Sequence, residues 1–401
     1  MNYNEEFSEL AKNLKASEIR ELLKFTQQPD IISFAGGLPN PKSFPVEHIR
    51  EIVDNLMEKE GPYILQYGST EGVNSFRDAL TIFLKERYNI NAKRDNILIT
   101  AGSQEALYLI AKIFINPRDP VIIEAPTYIG VLTAFQSYYP EYTAIEMDNE
   151  GMDTSLLEEK LKEMKKERQK PKLIYTIPTF QNPAGVTMSL QRRKHLLELA
   201  EEYDILIVED DPYGELRYSG EHLPTLKSLD KGGRVIYLGT FSKILAPGMR
   251  LAHMVGPDEI IQKAVLGKQG IDLCTNTLAQ YIARDYIAGG YLEKQLPKII
   301  SLYKSHRDLM LDMMDSEFPS KVKWTRPDGG MFLWVTLPEG ANAEEMFKRA
   351  IENKVAYVIG SAFFPNRDHK NTMRLNFTYS TEEQIQEGIK RLGKVIKEEL
   401  S

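Results

Sequence analysis

The chain has 401 residues, of which 42 % are hydrophobic and 27 % charged, with 26 glycines and 21 prolines. That composition excludes a disordered or collagen-like protein, and the length is roughly two to three times an ordinary domain. A net charge of −7 argues against a nucleic-acid surface and for a solvated cytoplasmic protein. The single cysteine, Cys274, excludes an internal disulfide framework and a multi-cysteine zinc site; it reads as a buried structural thiol. The histidines are scattered with no HExxH pair, so no metal is expected.

Residues 1–15 are polar and lack the apolar stretch of a secretory signal. No apolar run approaches the ~18–20 residues that span a bilayer, so no membrane partner is expected. Residues 1–45 offer no strand partner of their own and are assigned to a smaller lobe and a substrate-closing region. From about residue 70 the pattern alternates. Val73, Phe76, Leu80, Phe83 and Leu84 share one helical face. The apolar runs 96–100, 121–124, 172–178, 204–210, 234–239 and 252–256 are short and rich in Ile, Val and Leu, as strands buried on both faces of a parallel sheet require. Between them, Ser155-Leu156-Leu157-Glu158 reads as a capping box before a charged, exposed helix, and Ser189 caps a second, amphipathic helix. After about residue 285 the rhythm changes to a long helix, the strand-like 329–337, the helical 343–353, short strands near 357–359 and 372–379, and a final amphipathic helix. The expected architecture is α/β: a mostly parallel central sheet flanked by helices over 46–285, and a smaller α+β domain over 286–401.

The informative polar residues follow the apolar strands directly. In open α/β sheets ligands bind beyond the carboxyl ends of the strands, so Gly102-Ser103-Gln104, Thr127-Tyr128, Gln181-Asn182, Asp210-Asp211-Pro212-Tyr213 and Thr240-Phe241-Ser242-Lys243 are expected to converge. A glycine turn opening the helix after Gly102 presents free N–H groups suited to phosphate, although a plain strand-to-helix turn looks the same. Neither GxxxxGK[ST] nor GxGxxG occurs. Lys243 reads by default as a solvated lysine; desolvated beside a cation such as Arg250, it would become a nucleophilic amine. Asp210 reads as a cap, as half of a metal-binding pair with Asp211, or as the carboxylate that holds a pyridinium nitrogen. Arg374, inside the apolar strand 373–377, reads equally as a structural ion pair or as a bidentate grip on a substrate carboxylate.

Together these residues resemble the fold-type I, pyridoxal-phosphate-dependent class I/II aminotransferases, in the branch of 2-aminoadipate, kynurenine and archaeal aromatic aminotransferases. The resemblance covers nearly the whole chain. It rests on the spacing of Asp210-x-x-Tyr213, Ser242-Lys243 and Arg250, on Asn182-Pro183-Ala184-Gly185, on Gly102-Ser103-Gln104 and on Arg374. It implies that Lys243 carries the cofactor and shuttles the substrate's Cα proton, and that Asp210 keeps the ring nitrogen protonated. Asn182 and Tyr213 would hydrogen-bond the ring hydroxyl, and Tyr128 would stack on the ring. Gly102, Ser103, Gln104, Thr240, Ser242 and Arg250 would surround the phosphate. Arg374, with Asn182, would bind the substrate α-carboxylate. Tyr67 would reach the neighbouring subunit's phosphate and border the substrate, which implies a homodimer.

The segments 16–23 and 34–39 resemble the part that closes over the substrate in the aminoadipate branch, with Gly37 beside the substrate and Arg20 meeting a distal carboxylate; a helix-surface arginine is the plainer reading of Arg20. The implied activity is ping-pong transfer of the amino group of an L-amino acid to a 2-oxo acid, 2-oxoglutarate first among them. A C–S β-lyase keeps the same lysine and aspartate. The same domain also occurs fused to a winged helix-turn-helix in transcriptional regulators, but only about thirty polar residues precede Ile31 and no basic DNA-reading module is present.

Overall fold

The computed structural model describes residues 3–12 and 30–401. The strands, in chain order, are β1 (Ile32–Ser33), β2 (Ile97–Thr100), β3 (Pro120–Ala125), β4 (Glu141–Asp148), β5 (Gly151–Met152), β6 (Leu173–Thr176), β7 (Leu206–Asp211), β8 (Val235–Thr240), β9 (Ala252–Val255), β10 (Lys323–Trp324), β11 (Phe332–Thr336), β12 (Val355–Ala356), β13 (Val358–Ile359) and β14 (Thr372–Asn376). Eight of them form one sheet in the order β2-β9-β8-β7-β6-β3-β4-β5. Strands β8, β7, β6, β3 and β4 run parallel, and β9 lies antiparallel to both β8 and β2. Two antiparallel pairings in succession return β2 to the direction of β8. The carboxyl ends of β2, β3, β6, β7 and β8 therefore share one edge of the sheet.

The side-chain period of a strand divides this sheet's residues between two apolar layers. Ile122, Ile174, Ile207 and Val235 face Leu157, Leu161, Met164, Leu196 and Leu199 of the helices Thr154–Lys166 and Leu190–Glu202. Val121, Leu173, Tyr175, Val208 and Ile236 belong to the other layer, with Phe76, Leu80, Leu107 and Ile110 of the helices Asn74–Tyr88 and Ser103–Phe114. Burial on both sides is why the runs are almost wholly aliphatic.

A four-stranded antiparallel sheet, β10-β11-β14-β13, lies later in the chain, with the 27-residue helix Tyr291–Glu317 packed against the final helix Glu382–Glu399. The amino-terminal part does have a strand partner, contrary to expectation: β1 pairs in parallel with β12. Strand β4, whose residues are mostly exposed or half-buried, carries no continuous apolar run and was not expected. The helix expected to begin with a Ser155 capping box begins earlier, at Thr154. Its cap is Asp153, whose carboxylate accepts from the N–H groups of Ser155 and Leu156; an ionised acceptor outcompetes the hydroxyl at a helix start. Ser189 caps its helix as expected. Cys274 is half-buried, since its loop lies at the surface. Among the described residues no helix is long and apolar enough to cross a membrane.

Candidate active site

Five strand ends and two segments from elsewhere in the chain supply one site. Strand β8 delivers Thr240 and, two residues beyond, Ser242 and Lys243. The Lys243 amine donates to the carbonyl of Gly37 at 3.1 Å. Burial, and then the cations Arg374 and Arg250, bring its pKa down to about 8. The amine therefore sheds its proton far more readily than an ordinary lysine.

Strand β7 carries Asp210, 2 % exposed, as its penultimate residue. Burial raises its pKa to about 7, opposed by a hydrogen bond that the Tyr175 hydroxyl donates to Oδ2 at 2.9 Å. The register of β6 on β7 aligns Tyr175 with Val208, two residues before Asp210, so the phenol and the carboxylate lie on one face. The other oxygen of Asp210, Oδ1, is buried with no partner.

Strand β2 leads through Gly102, at φ +90°, into the helix that starts at Ser103. A side chain at Gly102 would place its Cβ 2.4 Å from Nη2 of Arg250, which donates to the Ala101 carbonyl at 3.2 Å. The positive φ favours glycine there, and a Cβ would displace the Arg250 guanidinium. The Ser103 hydroxyl is buried and unpartnered at the open end of the helix. Gln104 donates to the Gly130 carbonyl at 2.8 Å, tying this helix to the one that follows Tyr128. Thr240 Oγ1 accepts from the Ser242 N–H at 3.1 Å, which fixes the turn before Lys243.

Arg374 of β14 is 5 % exposed. It donates to Asn182 Oδ1 at 2.9 Å and to the Ala35 carbonyl at 3.0 Å, and its guanidinium lies 4.1 Å from the ring centre of Phe332. Nε has no partner, and burial lowers the group's pKa to about 10. Among the described residues no carboxylate pairs with it, so no ion pair there holds it. Asn182 also donates to the Tyr213 hydroxyl at 3.4 Å, and burial raises the pKa of Tyr213. Tyr128 is half-buried at the end of the β3 loop and its pKa is likewise raised by burial.

The arrangement is a desolvated amine, a half-satisfied buried carboxylate, a helix opening with an orphaned hydroxyl beside an arginine, and a second arginine with no acid beside it among the described residues. It is suited to a ligand with a carbonyl, a basic ring nitrogen and a phosphate, and to a carboxylate-bearing substrate. The model for aminotransferase class I and II matches residues 30–392. The chain belongs to the class I and II aminotransferases. It is 56 % identical, over all of its length and 96 % of the other's, to aromatic-amino-acid aminotransferase 1 of Thermococcus litoralis. To 2-aminoadipate transaminase of Thermus thermophilus it is 42 % identical, over 99 % and 98 % of the two chains. The crystal structure of Pyrococcus horikoshii kynurenine aminotransferase in complex with PMP superposes with a TM-score of 0.98 at 56 % identity, covering 100 % of this chain and 99 % of that one.

The enzyme is a pyridoxal-phosphate-dependent transaminase acting on amino and 2-oxo acids. Its own atoms fit the cofactor: Asp210 Oδ1 and the Ser103 hydroxyl are among the buried polar groups left without partners, and a ring nitrogen and a phosphate would each satisfy one.

Of the sequence-derived site residues, Lys243, Asp210, Tyr213, Asn182, Arg374, Gly37, Gly102, Ser103, Gln104, Tyr128, Thr240, Ser242 and Arg250 all lie on the strand ends and segments that build this site. Tyr67 does not pack into the site of its own chain and is 80 % exposed. Arg20 lies outside the described residues. Sequence reading missed Tyr175 and Glu124, and gave Gln181, though placed among the converging residues, no role. Glu124, fully buried, accepts from Thr176, Ile177 and Gln181, and burial raises its pKa to about 7. Gln181 also donates to the Pro126 carbonyl and accepts from the Ala184 N–H, so this group shapes the loop that carries Asn182. The available signal was a phenol and a carboxylate inside otherwise aliphatic strands.

Proposed function

We propose that the enzyme transfers the amino group of aromatic L-amino acids, 2-aminoadipate and related substrates to 2-oxoglutarate. The observation that carries this reading is Arg374: a buried guanidinium with no carboxylate partner among the described residues, within the same network as Asn182 and Tyr213. Relatives named for aromatic amino acids and for 2-aminoadipate support the breadth.

In this reading Lys243 holds the cofactor, Asp210 accepts from its ring nitrogen, Asn182 and Tyr213 hold its ring hydroxyl, and Tyr128 packs on the ring. Gly102, Ser103, Gln104, Thr240, Ser242 and Arg250 enclose its phosphate. Bound there, pyridoxal phosphate supplies an electron sink for the pair left when the substrate's Cα–H bond breaks. Arg374 orients the substrate through its α-carboxylate, and the lowered pKa of Lys243 lets its amine take up the Cα proton at neutral pH and return it. Phe332, against both Arg374 and Tyr213, walls the site from water. Gly37 borders the substrate, and Arg20 meets its far carboxylate. Residues 46–285 form the cofactor-binding domain; 1–45 and 286–401 form the smaller one.

The active unit is a homodimer in the cytoplasm. Tyr63, Leu65 and Tyr67, all more than two-thirds exposed, supply an apolar surface of the kind subunits bury, and Tyr67 reaches the partner's phosphate and substrate.

The test is the absorbance spectrum of the purified enzyme before and after single additions of glutamate, 2-aminoadipate, phenylalanine, leucine or kynurenine. Conversion of the cofactor to its pyridoxamine form by the donor alone is expected, with 2-oxoglutarate restoring the starting spectrum. Release of pyruvate or ammonia without that conversion would replace transamination by β-elimination.

A further inference from the structure

Lys268, in the helix Asp258–Gln269, is the one lysine among the buried polar and charged side chains of the described residues, at 0 % exposure. Its ammonium lies 2.9 and 3.0 Å from the two oxygens of Glu105, and 2.7 and 2.6 Å from those of Asp272. Glu105 is the third residue of the helix that opens at Ser103. Its Oε2 accepts from the Ala101 N–H at 2.6 Å, while the Ala101 carbonyl takes the Arg250 guanidinium at 3.2 Å. Glu105 therefore grips the N–H of the residue immediately before Gly102, the residue whose carbonyl Arg250 holds.

Burying an ammonium is expensive, and a well-packed apolar residue of similar size is often no less stable. The position of this one explains its use. A carboxylate in the first turn of a helix is favourable when the helix end is empty, but it repels a phosphate brought to the same end. Glu105 can hold the Ala101 N–H with less opposition to the phosphate if its charge is offset locally. Lys268, whose ammonium Asp272 shares, sits where it offsets that charge, and its bidentate contact fixes the Glu105 carboxylate against Ala101.

We infer that Lys268 is a positioning residue for the cofactor's phosphate, acting through Glu105. This rests on the reading of the Gly102–Arg250 turn as the phosphate site. Lys268 touches neither cofactor nor substrate; it sets the shape and the charge of the cup that does.

The experiment compares binding of pyridoxal phosphate and of pyridoxal, which lacks the phosphate, to the cofactor-stripped enzyme. In the parent enzyme pyridoxal phosphate binds far more tightly; if it does not, the phosphate-site reading itself fails and the inference with it. Lys268→Met is expected to weaken pyridoxal phosphate about tenfold or more, the range of a lost charged hydrogen bond, and to move pyridoxal by less than about twofold. Adding Glu105→Gln, which removes the uncancelled charge but keeps an oxygen for Ala101, recovers most of that loss. Should Lys268→Met not fold, Lys268→Arg carries the test with Glu105→Gln, and both keep the preference for pyridoxal phosphate near the parent's. Equal weakening of both ligands, or no rescue by Glu105→Gln, overturns the inference and leaves a structural ion pair.

Discussion

The Tyr175 hydroxyl donates to Oδ2 of Asp210 at 2.9 Å, while Oδ1 of the same carboxylate has no partner. The phenol thus stabilises the ionised form of a group whose pKa burial pushes to about 7. A ring nitrogen keeps its proton beside Asp210 only when that carboxylate is ionised. The affinity of the cofactor-free enzyme for pyridoxal phosphate is therefore expected to fall as pH drops through about 7. In Tyr175→Phe the ionised form loses a charged hydrogen bond, which moves that midpoint upward by about one to two pH units. A titration of cofactor affinity from acid to alkaline pH reads the shift directly. An unmoved midpoint would show that the phenol only packs.

Arg374 and Lys243 are coupled by charge. The guanidinium is the second cause, after burial, of the lowered amine pKa. Arg374→Met is expected to have two effects of different origin. Loss of the carboxylate grip raises KM for amino donors by about a hundredfold, as truncation of a buried charged contact does. Loss of the cation lets the Lys243 amine climb from about 8 toward an ordinary lysine. The pH at which the cofactor-free enzyme condenses with pyridoxal then moves upward. A higher KM with an unchanged amine titration would mean that burial and Arg250, without Arg374, tune Lys243.

What the sequence disclosed follows from its periodicities and from which residues ended its strands. Aliphatic runs marked β2, β3, β6, β7, β8 and β9, because burial on both faces demands them. Asp210, Lys243 and Asn182 were legible because polar residues directly after such runs stand at the open edge of the sheet. Strand β4 was not legible, since its exposed and half-buried side chains make no apolar run. Tyr175 and Glu124 were hidden for the opposite reason: inside a buried strand a single polar residue looks like an exception, and only the neighbouring strand shows what satisfies it. Lys268 was invisible too, since nothing local separates a buried lysine on an amphipathic helix from a solvated one. The antiparallel insertion of β9, which sends β2 to the same edge as β8, is a property of strand order and leaves no mark in the chain.

Arg20 supplies the prediction that separates substrates rather than steps. If it meets the distal carboxylate, Arg20→Ala raises KM for 2-oxoglutarate and 2-aminoadipate by about tenfold or more, the loss of one charged contact. Phenylalanine, which has no such group, stays within about twofold. Steady-state kinetics with the three substrates decide it. A KM for 2-oxoglutarate equal to the parent's removes Arg20 from the substrate site.

Glu124 gives a prediction about stability in which the sign matters. Its folded pKa, about 7, lies above the ordinary carboxyl value of 4.5 because burial disfavours the charge. The folded state therefore holds a proton more tightly than the unfolded chain. The stability this contributes is fully present below about 4.5 and is lost as pH rises through about 7. Glu124→Gln removes the ionisation and can keep every partner: the amide oxygen accepts from Gln181 and Ile177, and its NH₂ donates to Thr176, whose hydroxyl is able to accept. The variant is expected to match the parent's melting temperature near pH 5. Near pH 8, where the parent must bury a charge, the variant melts about 2 °C or more higher. Paired melting curves at the two pH values check this. A difference that is the same at both would mean that Glu124 is ionised throughout, its three donors outweighing the cost of burial.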